Sequence, residues 1–322
     1  MRESAFVKAN IKKWEEFERL ISTKARQDPD QLADLFIQLT DDLAYAQTHY
    51  PKSEISAYLN NLSTKVHQYI YRNKKEQKNR FANFWKIELP EIFWNYRRQF
   101  AISFSVFFLS CVIGAFSAAY DDSFVRVIMG DAYVNMTLQN IENGEPLGVY
   151  SKMDQLPMFF AITFNNIRVS FIAFAFGIIG SVGTGFLLFR NGVMLGSFQY
   201  FFYQKELLMP SVLTIWLHGT KEIISIVIAG GAGLIMGNSL LFPGTYSRLE
   251  SLKKGALTGA KVVLGLVPLF IIAGFIESYI TRLFGMPVAL KAAIILSSLA
   301  FMVWYIILYP RKLYRNGAYT TN

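Results

Sequence analysis

Three residues in the second half of the chain, His218, Glu222 and Glu277, have side chains that could bind a cation or carry out acid–base chemistry. His218 and Glu222 are four residues apart, so a helix would place both on the same face. One imidazole and two carboxylates can ligate zinc, which activates a bound water for hydrolysis. A zinc-protease helix, however, carries His-Glu-x-x-His, and this pattern lacks the second histidine. A metal-dependent hydrolase is therefore the remote alternative, and we expect no catalytic residue, no metal and no cofactor.

Further polar residues, Asn165, Asn166 and Arg168, stand at the start of an apolar stretch. Polar groups at the depth of a membrane are costly, and they usually mark a function or a pairing. Three roles are open for a cluster of these residues with the three above. It could be a buried network in which Arg168 or Lys221 neutralises the glutamates, a binding site for a proton or cation, or the hydrolase centre.

The composition indicates a membrane-embedded body with a charged head. Hydrophobic residues make up 52% of the 322 residues and charged residues only 17%, against roughly 25% charged in ordinary globular proteins. More than half of the charged residues lie in the first 98 positions. This pattern excludes a soluble enzyme, a disulfide-stabilised secreted domain and a disordered protein. The net charge of +9 is not gathered on one run, so we expect it to reflect membrane topology and not nucleic-acid binding.

The first part of the chain, residues 1–80, is predicted to form a cytoplasmic helical bundle. Apolar residues recur there at helical spacing in three segments, and Asp28-Pro29 is typical of a helix start. Residues 81–98 mix aromatic and basic side chains, which favours an amphipathic elbow helix at the membrane interface. The candidate interface residues are Phe84, Trp85, Phe93, Trp94, Arg97 and Arg98.

Residues 99–310 are predicted to form an all-α, polytopic transmembrane domain, because about 20 apolar residues suffice to cross the hydrocarbon layer. We predict about six spans, near residues 99–120, 168–189, 192–209, 222–242, 262–280 and 288–309. A broken or re-entrant piece is expected near 210–219. Residues 121–167 are predicted to be an extracytoplasmic loop and residues 311–322 a cytoplasmic tail.

The basic residues that flank the spans fall on one side if both termini are cytoplasmic, as the positive-inside rule requires. The loop at 121–167 is net acidic. We therefore predict a multi-pass protein of the cytoplasmic (inner) membrane with cytoplasmic N- and C-termini. In this topology the polar residues lie at the outer ends of their spans, so the cluster is expected in the outer leaflet.

Small residues recur at short spacing along two of the spans and predict close helix contacts. The glycines concerned are Gly192, Gly196, Gly230, Gly233 and Gly237. Such faces serve internal packing more commonly than dimerisation, and both uses are open. We also expect a homodimer.

Several motifs in a fixed order resemble the stage II sporulation protein M family. They are Asn165-Asn166-Ile167-Arg168, Asn191-Gly192 with Leu195-Gly196, His218-Gly219-x-x-Glu222, the run from Ile228 to Leu234, and Phe275-Ile276-Glu277. The resemblance covers roughly residues 80–310 and implies a multi-pass membrane protein. In endospore formers the family's namesake works with two cell-wall-degrading partners during engulfment and is not thought to be a hydrolase itself.

We therefore predict a non-enzymatic membrane scaffold that positions partner proteins, such as cell-envelope remodelling machinery, or shapes the membrane. The expected partners are membrane lipids, a second copy of the chain and proteins of the membrane or envelope, with no nucleic acid. The main alternative is a transporter or channel that binds a proton or cation at an outer-leaflet His/Glu site. Against transport, few polar residues continue inward from the cluster apart from Asn191 and Asn238.

Overall fold

A computed structural model describes residues 1–22, 29–72, 80–144, 154–283 and 285–317, and these residues form helices and no strand. The chain divides into two compact units, Met1–Arg80 and Phe81–Asn322. Parts of the predicted loop (145–153) and of the predicted tail (318–322) lie outside the described residues. The predicted all-α, polytopic class is confirmed.

The N-terminal unit contains α1 (Glu3–Ser22), α2 (Pro29–His49) and α3 (Glu54–Arg72). Trp14 is 1% exposed, and its Nε1 donates a hydrogen bond to Asp42 Oδ2 at 2.9 Å. Asp42 also pairs with Lys13 at 2.5 Å. The other buried apolar residues of this core are Phe6, Phe17, Leu39, Ala46, Leu59, Leu62 and Val66. The unit therefore has a hydrophobic core of its own.

The second unit starts with α4 (residues 80–95), which contains a π turn at Phe84–Glu88. The remaining elements are α5 (Arg97–Tyr120), the short helices α6 (Asp122–Met129) and α7 (Asp131–Glu142), and the long helices α8 (Gln155–Ile178), α9 (Val182–Gln204), α10 (Leu208–Leu241), α11 (Arg248–Ile280) and α12 (Val288–Arg315). The predicted loop thus contains two short helices.

Five of the described helices, α5, α8, α10, α11 and α12, are long and apolar enough to cross a membrane. Helix α9 has 23 residues, carries Arg190 and Asn191 near its middle, and is not among these five. The multi-pass architecture is therefore established by five helices, and a sixth crossing by α9 stays a prediction.

The helix bounds differ from the predicted spans in the middle of the domain. Residues 155–167, predicted as loop, form the first half of α8. The chain then turns at Gly180 and Ser181, whose φ angles are 58° and 70°, and this turn divides the predicted span 168–189. Helix α10 runs without a break through 210–219, because Pro210 lies in its first turn, where a missing N–H costs no helical hydrogen bond.

The predicted elbow, α4, packs against α11 and α12 of the same chain. Trp85 Nε1 donates to the Gly265 carbonyl at 3.2 Å, and the Tyr305 hydroxyl donates to the Trp85 carbonyl at 2.8 Å. Phe93 is buried in the main core, and Phe84 is half-buried against it. Trp94 stacks on Tyr314 with ring centroids 4.6 Å apart, Arg97 lies 4.7 Å over the Trp94 ring, and Arg98 is exposed. A location at the membrane interface stays a prediction.

The predicted packing glycines are buried in contacts within the chain. A Cβ at Gly196 would lie 1.9 Å from the Cys111 carbonyl oxygen, and one at Gly192 would lie 2.6 Å from the Phe107 oxygen, so α9 packs directly on α5. On α10, a Cβ at Gly230, Gly233 or Gly237 would lie within 3 Å of Leu188, Thr184 or Ser181, respectively. These glycines therefore serve internal packing and give no support to a dimer.

Candidate cation-binding site

His218, Glu222 and Glu277 converge in the interior of the second unit. Helix α10 contributes His218 and Glu222 one turn apart, and α11 contributes Glu277. His218 Nε2 lies 3.7 Å from Glu277 Oε2, and one ligand atom from each of the three residues lies within 4.8 Å of the others. His218 is only 4% exposed, and both glutamates are half-buried.

A π turn in α11, Ile276–Ile280, positions Glu277. The Thr281 N–H donates to the Ile276 carbonyl at 2.9 Å, and the Thr281 hydroxyl donates to the same carbonyl at 3.2 Å. The hydroxyl oxygen lies 3.3 Å from His218 Nδ1. A hydroxyl that donates to the Ile276 carbonyl can accept a proton from Nδ1. His218 Nε2 faces Glu277 Oε2. Single π turns of this kind are frequent at functional sites.

A pocket of about 480 Å³ opens onto this cluster. Its polar lining consists of Tyr133, Asn165, Asn166, Asn191, His218, Glu222 and Glu277. The apolar lining comes from α5, α6 and α8–α10. Seven helices of the second unit, α5 to α11, therefore meet around one space.

Asn166 is the most enclosed amide of the pocket. It is 3% exposed, and its side-chain nitrogen makes no hydrogen bond of good geometry among the described residues, while the amide lies beside the Glu222 carboxylate. A buried N–H without a partner costs free energy, which favours a site built to receive a ligand or water. The neighbouring Asn165 is exposed but still lines the pocket.

The two basic residues considered as neutralising partners point elsewhere. The Lys221 ammonium donates to the Ser298 hydroxyl on α12, and Arg168 is exposed on α8 and does not line the pocket. Among the described residues, His218 is the basic side chain that lies within 4 Å of either carboxylate, with Nε2 3.7 Å from Glu277 Oε2. The structure thus brings together all the predicted cluster residues except Arg168.

The position of the cluster along its helices also differs from the prediction. Asn165 and Asn166 lie near the middle of α8 and not at its end, because α8 begins at Gln155. Glu222 lies well inside α10, while Glu277 lies in the last turns of α11. The expectation of a cluster at the outer helix ends therefore does not hold for α8 and α10.

Two buried hydroxyls extend the polar region beyond the cluster. Ser170 lies one turn beyond Asn166 on α8, and Ser225 lies about one turn beyond Glu222 on α10. Both are 0% exposed, and neither hydroxyl has a partner within the described ranges. Buried hydroxyls in such positions are usually satisfied by ordered water.

Sequence reasoning missed two contributors to the site. Thr281 lies four residues after Glu277, and this helical spacing was a signal that could have found it. Tyr133 had no such signal, because it lies on a short helix within the segment predicted as loop.

These features define a multi-pass α-helical membrane protein with a polar pocket inside its helical body. Residues 103–282 match the stage II sporulation protein M family, and residues 4–72 match a domain of unknown function. Since the first match spans more than half of the chain, the chain belongs to the stage II sporulation protein M family, as its motifs predicted. This is not a known enzyme family. No curated protein and no solved structure matches the chain.

Proposed function

We propose that this protein is a non-enzymatic transporter or channel that binds a cation at His218, Glu222 and Glu277. The observation that carries the proposal is the convergence of two carboxylates and an imidazole inside the helical body, beside a pocket. Ionisable groups inside membrane segments are expensive and typically mark ion or substrate pathways. Because Lys221 and Arg168 point elsewhere, a bound cation supplies the positive charge that balances the carboxylates.

Two further features support transport. Ser170 and Ser225 are buried hydroxyls one turn beyond Asn166 on α8 and beyond Glu222 on α10, so polar side chains on these helices do not end at the cluster. The site also lies at an irregular turn of α11. Transporters commonly build midplane ion sites where a helix departs from regular geometry.

A scaffold is the second candidate function. Two sequence features that favoured it, the glycine faces and the aromatic elbow helix, favour it less in the structure. The glycine faces are used within the chain, and α4 packs on its own helical body. The N-terminal unit still favours a scaffold, because it has a separate core and presents charged residues such as Lys12, Glu15 and Glu16 to solvent. With the scaffold we also propose a homodimer and partners in the cell envelope. We further propose that the protein lies in the inner membrane with cytoplasmic N- and C-termini.

Ion flux in vesicles tests transport. The full chain would be reconstituted and assayed with a panel of monovalent and divalent cations against protein-free vesicles. We expect the wild type to raise the flux of at least one cation, and Glu222→Gln and Glu277→Gln to return it to the protein-free level. Glu142→Gln, at an exposed glutamate on α7, is the matched control and should retain the flux. Equal flux in the wild type and both site variants would contradict transport and leave the scaffold, which cross-linking and co-purification from native membranes would then test.

A further inference from the structure

We infer that the site selects a divalent transition metal of the zinc class over alkali and alkaline-earth cations. This inference rests on the proposed function in that the same three residues bind the transported ion. It also departs from the sequence-based expectation of a metal-free protein. Binding can be measured without transport, so the two claims are separable.

The donor atoms themselves argue for this class of metal. His218 offers a neutral imidazole nitrogen, and Glu222 and Glu277 offer carboxylate oxygens. Imidazole is a ligand for zinc, copper, iron and nickel, whereas calcium and magnesium take oxygen ligands almost exclusively. Two carboxylates also balance the charge of a dication, which matters where the groups are removed from water.

The spacing of the donors is close to that of a three-ligand metal centre. Metal–ligand bonds of about 2.0–2.2 Å place tetrahedral ligand atoms roughly 3.4 Å apart. His218 Nε2 and Glu277 Oε2 are already 3.7 Å apart, and all three donors lie within 4.8 Å of one another. Rotation of the glutamate side chains would bring the donors to that spacing. The pocket leaves a fourth position open to solvent or substrate.

The outer contacts of the ligands fit a metal site as well. Metal-bound histidines usually donate through the other ring nitrogen to a fixed acceptor, and here Nδ1 lies 3.3 Å from the Thr281 hydroxyl while Nε2 faces the second donor, Glu277. Independently, the amide nitrogen of Asn166 is buried, makes no hydrogen bond of good geometry, and lies beside Glu222 in the same pocket. It is placed to donate to a carboxylate oxygen or to a water held by the metal.

Equilibrium metal binding tests the inference. The full chain in mild detergent would be stripped with a chelator and titrated with Zn²⁺, with native mass spectrometry for stoichiometry and competition titration for affinity. We expect one Zn²⁺ per chain, retained in millimolar Mg²⁺. Glu277→Gln and Glu222→Gln should weaken binding by more than about 100-fold, while Glu142→Gln should bind as the wild type does.

A measurement on the wild type keeps the test decisive if the site variants do not fold. Co²⁺ added to the stripped protein should give the visible absorption of a low-coordinate nitrogen–oxygen site, and Zn²⁺ should abolish it. Absence of stoichiometric Zn²⁺, displacement by Mg²⁺ or unchanged binding in folded Glu277→Gln would overturn the inference. Tight Zn²⁺ binding without flux refutes transport alone. Glu277-dependent flux of another cation without Zn²⁺ binding refutes the metal assignment alone.

Discussion

His218 contacts one partner through each ring nitrogen, Thr281 at Nδ1 and Glu277 at Nε2. The imidazole is therefore fixed in rotation, with Nε2 directed at the glutamate. Thr281 touches no ligand in this arrangement and acts through His218, so it is a positioning residue. Its own hydroxyl is held by the Ile276 carbonyl within the π turn.

Replacing Thr281 should affect the metal affinity more than the fold. We expect Thr281→Val to weaken Zn²⁺ binding by roughly 10–100-fold, because the outer contact of the histidine is lost. Thr281→Ser keeps the hydroxyl and should restore most of the affinity. Competition titration and thermal unfolding of the metal-free protein check the two effects separately. Equal losses of affinity in the valine and serine variants would argue against a positioning role.

The residues of the cluster were predictable where helical spacing decides their direction. His218 and Glu222 share a face because they are four apart, and both line the pocket. Asn166 and Arg168 are two apart and cannot share a face, so Asn166 is buried and Arg168 is exposed. Their proximity in sequence gave no information on which of them turns inward.

Helix α9 packs on α5 without intervening side chains. Gly192 and Gly196 of α9 face the α5 carbonyls of Phe107 and Cys111. In the reverse direction, Gly114 of α5 faces Val193, and a Cβ there would lie 2.2 Å from the Val193 carbonyl oxygen. Since backbone atoms cannot move aside as a side-chain end can, this contact fixes the distance between the two helices.

A single methyl group at this contact should therefore destabilise the protein. We expect Gly196→Ala to cost about 1–3 kcal/mol, because the added carbon overpacks the contact. Gly185→Ala on the same helix is the matched control, since a Cβ there meets nothing within 4 Å, and it should be neutral or stabilising by up to about 1 kcal/mol. Thermal unfolding in detergent measures both. A Gly196→Ala protein as stable as the Gly185→Ala protein would refute this account of the packing.

The bounds of helices α8, α9 and α10 could be predicted only in part from the apolar content of the sequence. The turn at Gly180 and Ser181 lies inside an apolar run, and hydropathy does not locate a turn within such a run. Conversely, Pro210 and the polar group around His218 suggested a break that α10 does not have. His218 and Glu222 point into the pocket and Lys221 donates to Ser298 on α12, so the helix continues without exposing these groups to lipid.

The molecule as a whole combines two units with separate cores. The N-terminal core is built around Trp14 and Phe17, with residues from α2 and α3. Because its buried residues all come from within Met1–Arg80, the unit does not require the membrane body to bury them. Helical periodicity predicts a bundle over residues 1–80, and the structure has three helices in the unit Met1–Arg80.

Residues 1–80 alone should fold in water as a helical domain. We expect cooperative thermal unfolding by circular dichroism, and we expect Trp14→Ala to destabilise the domain by about 3–5 kcal/mol through the cavity it leaves. Ile37→Ala, at a residue that is 59% exposed, should change stability by less than about 0.5 kcal/mol. A non-cooperative fragment, or equal effects of the two substitutions, would show that the unit depends on the rest of the chain.

The two helices that hold the cluster are also the longest of the membrane candidates. Helices α10 and α11 have 34 and 33 residues, which is about 50 Å at 1.5 Å per residue, against about 30 Å of hydrocarbon. Helices of such length meet a thinner bilayer by tilting. Because α10 and α11 pack along each other, a tilt of one helix carries the other with it. We therefore expect a change in lipid chain length to tilt α10 and α11 together relative to the membrane. The distances between His218, Glu222 and Glu277 should change less than the tilt.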